Sequence, residues 1–148
     1  MNKDQIYMKM ALDLAQMSHC VSHKVAAILV RDGVILSTGI NGTPKGCKNC
    51  DQIFDAKNFD REAHHKFSEN SEIHAETNAL LFAAKNGINI SGSTMYATLH
   101  PCNHCMKMLC NSGIKEIIYA EKYDLLQDVE EMYKLLSDAK IKIRQLRV

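Results

Sequence analysis

Two short clusters constrain this chain more than anything else in it: His74-Ala75-Glu76 and, further along, Pro101-Cys102-Asn103-His104-Cys105. One His and two Cys can hold a zinc ion and leave its fourth position open to water. Glu76, two residues past the His, can move that water's protons. Structural zinc sites close all four positions with protein ligands, whereas catalytic ones keep one open and set a carboxylate beside it. Pro101 suits the first position of a helix because it has no amide hydrogen to leave unpaired. A spacing of three then puts the Cys102 and Cys105 sulfurs on one helix face, where the positive helix end stabilises thiolates. His74 falls near the start of another helix, so two helix N-termini are expected to converge at one sheet edge.

Periodicity supplies the rest of the frame. From Gln5 to His19, Ile6, Met10, Leu14 and Met17 recur at three or four, which predicts an amphipathic helix. Lys24 to Val30, a tight turn at Asp32-Gly33 and Val34-Ile35-Leu36 predict a β-hairpin. Gly39 to Ser71 shows no period and reads as a long loop, which in a compact domain is functional, disordered or stapled. Ile73 to Asn86 predicts a buried helix marked by Ala75, Ala79, Phe82 and Ala83, with Asn86-Gly87 as its stop. Thr94 to Leu99 predicts a strand, Pro101 to Asn111 a helix, Ile117 to Ala120 a strand, Val129 to Ala139 a helix and Ile141 to Val148 a last strand. This order implies an α/β fold, a three-layer α/β/α sandwich around a mixed five-stranded sheet. No repeat or linker interrupts it, so residues 1–148 are expected to form a single domain.

Composition narrows the function. A formal charge of +1, without a block of like charges, argues against binding nucleic acid through its phosphates. With no Trp and few other aromatics, a stacking platform for single strands is equally disfavoured. No apolar run reaches membrane length and nothing resembles a signal peptide, so a cytoplasmic protein is expected. In a reducing compartment the C-x-x-C pairs, Cys47/Cys50 and Cys102/Cys105, read as metal ligands before disulfides. Cys110 reads as a core thiol.

The spacing H-x-E followed by P-C-x-x-C resembles the signature of zinc-dependent nucleobase deaminases. Zn²⁺ with two thiolates and one neutral imidazole carries no net charge, so its water is less acidified than on a three-His site, where the pKa is about 7. A nearby general base gains value accordingly. Glu76 is expected to take a proton from water, deliver it to the ring nitrogen and help protonate the departing ammonia. The bland reading is a closed zinc site with His100 or His104 as fourth ligand and Glu76 merely an acid in a first helical turn.

With these residues in view, the chain resembles the deoxycytidylate (dCMP) deaminase family, particularly its phage and bacterial branch, from about Tyr7 to Asp124. The resemblance rests on Lys24-Val25-Ala26-Ala27, the segment Ser37 to Gly46, Glu72 to Leu80, and Thr98 to Cys105. Ile40 stands where the family usually has Tyr, which bears on allosteric control, and Ala26 where Gly is usual. The resemblance implies a cytidine-deaminase-like fold and hydrolysis of dCMP to dUMP and ammonia, feeding thymidylate synthesis. It also implies a homohexamer, activation by dCTP and inhibition by dTTP with Mg²⁺, in the host cytoplasm if phage-encoded. By the same resemblance His74, Cys102 and Cys105 hold the zinc, Asn41 holds the sugar hydroxyl and the Ala75 backbone reads the base. Lys24, Lys45 and Tyr123 are candidates for the phosphate; each Lys reads equally well as a solvated surface cation.

Members of the phage branch also resemble this chain at Cys20, Cys50, His64 and Glu72, where they hold a second, structural zinc. Such a site would clip the Gly39–Ser71 segment to the main fold. Cys47 can stand in for Cys50 and His65 for His64 on spacing alone; free thiols and an exposed His are the bland alternative. Two other functions compete. A tRNA adenosine or free cytosine deaminase shares the zinc signature, but the only basic row is Lys140, Lys142 and Arg144. A non-catalytic zinc module would have no use for Glu76 and would need a fourth ligand.

Overall fold

The computed structural model describes all 148 residues. Strands β1 (Ala26–Arg31), β2 (Val34–Ile40), β3 (Thr94–Leu99), β4 (Glu116–Glu121) and β5 (Lys142–Gln145) form one sheet in the order β2-β1-β3-β4-β5. β1 pairs antiparallel with β2 and β3, while β3–β4 and β4–β5 are parallel, so the sheet is mixed as expected. The hairpin turns at Asp32 and Gly33, with φ of 52° and 75°, a left-handed pair that Asp-Gly tolerates.

Alternation along β1 divides the core between the two sheet faces. Ala27 and Leu29 join Met95, Ala97 and Ile117 in a cluster completed by α4 (Ala75–Lys85), α5 (Asn103–Cys110) and α6 (Val129–Asp138). Ile28 and Val30 face Met8 and Ala11 of α1 (Lys3–Ala15) on the other side, with Tyr96 and Ile118. Helices on both faces make the three layers.

α1 turns a different face inward from the one its stripe suggested. Met8, Ala11 and Ala15 are buried, while Ile6, Met10 and Met17 are exposed. Small alanines let the helix lie close on the sheet, which outweighs the spacing of the larger residues. On α4, Phe82 is exposed, contrary to the expected buried pattern, whereas Ala75, Ala79 and Ala83 are buried. The Gly39–Ser71 stretch is not one long loop: it finishes β2 and contains α2 (Cys50–Ile53) and α3 (Arg61–Ser71). α3 is too polar to show an apolar period, and Asp60 starts it by accepting from Glu62 N and Ala63 N. Phe54 and Phe59 pack against the His64 ring, and Phe67 packs against Phe54, which gives the segment a small apolar centre of its own.

α4 is pinned to the edge strand β2 at three points. Ser37 Oγ donates to the Ala79 carbonyl at 2.6 Å, and Asn78 Nδ2 donates to the Ile40 carbonyl at 2.8 Å. At Gly39 a Cβ would stand 2.2 Å from the Ala75 carbonyl oxygen and 2.5 Å from Ala79 N, so only glycine allows this approach. The N-terminus of α4 is thereby fixed against the sheet.

Candidate metal centres

β3 and β4 run parallel and end side by side, with Leu99 opposite Glu121. The chain leaving β3 enters His100-Pro101-Cys102 and then α5, for which Cys102 is the N-cap; Pro101 precedes the helix and does not open it. His74 is the N-cap of α4, and two helix starts meet as the sequence suggested. His74 Nδ1 lies 3.3 Å from the sulfurs of both Cys102 and Cys105. Hydrogen bonding by Cys105, and then by His74, holds the Cys102 thiol well below its ordinary range, so a thiolate is favoured here. Thr77 Oγ1 stands 3.6 Å from Cys105 Sγ and steadies it. Thr77 escaped the sequence reading, although its place three residues after His74 puts it on the same helix face.

Glu76 is 4% exposed, in the first turn of α4. Burial pushes its carboxyl up to about 7, against the opposing pull of a hydrogen bond with Cys105 and the charge of His74. One imidazole and two cysteines, their donor atoms within 4.8 Å of one another, match the soft, incomplete donor set of a catalytic zinc. Neither suggested fourth ligand joins them. His104 is exposed, and His100 is buried with both ring nitrogens engaged. Its Nδ1 donates to the Pro101 carbonyl at 2.8 Å, which leaves Nε2 to accept from the Tyr133 hydroxyl at 3.0 Å.

A second cluster joins four parts of the chain: Cys20 after α1, Cys50 at the start of α2, His64 within α3 and Glu72 at its C-cap, with ligand atoms also within 4.8 Å. Cys20 Sγ is 3.7 Å from His64 Nε2 and 3.5 Å from Glu72 Oε1. Burial pushes the Cys20 thiol up to about 11. Glu72 Oε2 is buried without any hydrogen-bond partner. An orphaned carboxylate oxygen beside two thiols and an imidazole fits a cation, since such an atom is otherwise expensive to bury. Cys47 and His65 are exposed and outside the cluster, and half-buried Cys110 packs against the main core.

The remaining candidates belong to neither donor cluster. Asn41 binds main chain with both amide atoms, accepting from Val25 N at 2.9 Å and donating to the His23 carbonyl at 2.7 Å. Ala75 is fully buried beside Gly39. Lys24 and Lys45 are exposed, whereas Tyr123 is half-buried. Of the basic row, Lys140 lies outside β5, and Arg144 is engaged by Asp4 and Glu116.

Residues 1–121 match the family profile of the cytidine and deoxycytidylate deaminase zinc-binding region. The chain is 38% identical to deoxycytidylate deaminase of Enterobacteria phage T2 over 153 aligned positions, covering 82% of this chain and 81% of that protein. It is 32% identical to the Saccharomyces cerevisiae deoxycytidylate deaminase over 96% of this chain and 44% of the yeast one. Among solved structures, the cyanophage S-TIM5 dCMP deaminase in complex with dCMP and dUMP superposes with a TM-score of 0.77 at 31% identity, covering 99% of both chains. A tRNA adenosine-34 deaminase, at 17% identity and a TM-score of 0.64, shares the fold.

Proposed function

The chain belongs to the cytidine and deoxycytidylate deaminase family, and on that premise we infer that it hydrolyses dCMP to dUMP and ammonia. The observation that carries this reading is the buried Glu76 beside a three-donor cluster that has no fourth side chain.

His74, Cys102 and Cys105 would hold the zinc, which when bound supplies Lewis-acid activation of water. The α5 N-terminus favours the thiolate form of Cys102, and Thr77 orients Cys105. In the net reaction the oxygen of water replaces the amino nitrogen on C4 of the cytosine ring. Glu76 carries the protons: it accepts one from water, gives it to ring N3, and passes the next to the departing amine. Burial raises the Glu76 carboxyl above its ordinary range, the direction that suits a group which must both take and give protons. Ala75, which starts α4 next to Glu76, would read the base through its backbone. Asn41, braced by its two main-chain bonds, would hold the sugar hydroxyl, and Tyr123 with Lys24 or Lys45 would face the phosphate.

Cys20, Cys50, His64 and Glu72 would hold a second, structural zinc, for which the orphaned Glu72 oxygen is the support. Assembly into a homohexamer, activation by dCTP, inhibition by dTTP with Mg²⁺ and a place in the cytoplasm, the host's if phage-encoded, follow the family resemblance. Leu81 and Phe82, 51% and 48% exposed on α4, offer the apolar surface that subunit contacts cover. The activity resides in a single domain spanning residues 1–148.

The test is ammonia release from dCMP, CMP, deoxycytidine, cytosine and adenosine in parallel. dCMP should be turned over with the highest kcat/KM, and preference for deoxycytidine over dCMP would remove the phosphate assignment. Metal analysis of a Cys50→Ser variant should show one zinc per chain lost, and retention of two would remove the second site.

A further inference from the structure

Asn103 sits between Cys102 and Cys105 at the first position of α5, yet it belongs neither to the donor cluster nor to the core. Its side-chain amide reaches the main chain of Gln127 with both of its polar atoms. Oδ1 accepts from Gln127 N at 3.1 Å, and Nδ2 donates to the Gln127 carbonyl. One planar amide thus satisfies the donor and the acceptor of a single residue 24 positions along the chain.

Gln127 ends the segment 122–127, which together with Asp128, the N-cap of α6, joins β4 to α6. Because Leu99 pairs with Glu121 and His100 N donates to the Glu121 carbonyl at 2.9 Å, this segment starts level with Pro101 and Cys102. In open α/β sheets, that edge beyond the strand ends is where ligands bind. Lys122, Asp124, Leu125 and Gln127 are exposed. Leu126 reaches inward to the core, and the Asn103 amide ties the far end. Tyr123 is half-buried on the same segment, and burial together with the charges of Cys102 and Glu69 pushes its phenol up.

We propose that Asn103 is a positioning residue: through its paired hydrogen bonds to the Gln127 main chain it holds segment 122–127 as a strap beside the metal centre. The strap sets how tightly the nucleotide is held and leaves the reacting atoms untouched. This rests on the assignment of dCMP as substrate and of Tyr123 as one of its contacts.

Zinc-loaded Asn103→Ala and Gln127→Ala enzymes discriminate the possibilities. Asn103→Ala removes both bonds, so KM for dCMP should rise about tenfold with kcat held within about twofold, the pattern of lost uniform binding. Amide hydrogen exchange across residues 122–127 should quicken by about tenfold while zinc content stays full. Gln127→Ala keeps the main-chain groups and should change none of these. Asn103→Asp, which retains the acceptor and loses the donor, should fall between. An unchanged KM, an unchanged exchange rate, or a fall in kcat that parallels zinc loss would overturn the proposal. Exchange and zinc content are read without substrate, so a wild-type chain inactive on dCMP would count against the substrate assignment, and the exchange data would still decide the strap.

Discussion

At the scale of single residues, Glu76 shows how a functional group is made by its surroundings. Its carboxyl is desolvated in the first turn of α4 and pushed up to about 7, above the ordinary value of 4.5. Replacement by Gln keeps shape and removes proton transfer, so turnover should fall by about 10²–10⁴-fold with zinc content intact. Full turnover would refute the shuttle. Stability should move in the opposite direction. The folded state holds the proton more tightly than the unfolded chain, so in protein stripped of metal the wild type loses stability as pH rises from 4.5 to about 7. Glu76→Gln has no such loss. Its melting temperature should match the wild type at the acid end of that window, exceed it above, and stay a constant margin ahead at higher pH. Thermal melts across the range check this, and a wild type that gains stability through the window would show the carboxyl is not desolvated.

Single elements explain both what could be read in advance and what could not. β3, the hairpin and the two helix starts carrying His74 and Cys102 followed from strict local patterns, namely alternation, Asp-Gly and the ligand spacing. α3 did not, because its stability comes from the Asp60 cap and from contacts made by His64, neither of which leaves a period. The inward face of α1 was missed because alanines, invisible to a search for large apolar residues, decide the close approach. His100 and its link to Tyr133 span 33 positions and had no local signal at all. Gly39 was legible only as part of a motif, whereas the structure gives its reason: it lets α4 lie on β2. Gly39→Ala should therefore push Ala75 and with it His74 and Glu76 away, destabilising the fold by about 3 kcal/mol and lowering kcat. A melt and a rate within error of wild type would show that α4 can yield. α1 is tied down differently: Asp4 accepts from the Tyr96 hydroxyl and pairs with Arg144, which hold its carboxyl below the usual range. That support is present at neutral pH and lost as acid protonates Asp4. Tyr96→Phe should cost about 1 kcal/mol near neutrality, and the gap should close in urea titrations run at acid pH.

Across the whole molecule, the two donor clusters are joined by one short piece of chain. Glu72 belongs to one, His74 to the other, and Ile73 between them exchanges main-chain hydrogen bonds of 3.0 and 2.7 Å with Gly42. The second cluster draws Cys20, Cys50 and the α3 pair His64 and Glu72 together from three separated stretches, so a cation there would close the segment from Gly42 to Asp60 over the main fold. Without it, that segment keeps Phe54 and Phe59 packed against His64, a short α2 and little else, whereas the sheet keeps both of its cores. Metal removal should therefore loosen one region and not the whole chain. Lys45, Lys48 and Lys57 are exposed within it and report on its closure to trypsin. Zinc-loaded protein should resist cleavage at all three, chelator-treated protein should be cut there first with β3 and β4 intact, and added zinc should restore resistance. Cys50→Ser should be cut at the same lysines even in excess zinc, because the catalytic centre can fill while the clip cannot. Equal cleavage of wild type with and without chelator would mean that the phenylalanine cluster alone holds the segment and that the four donors close nothing.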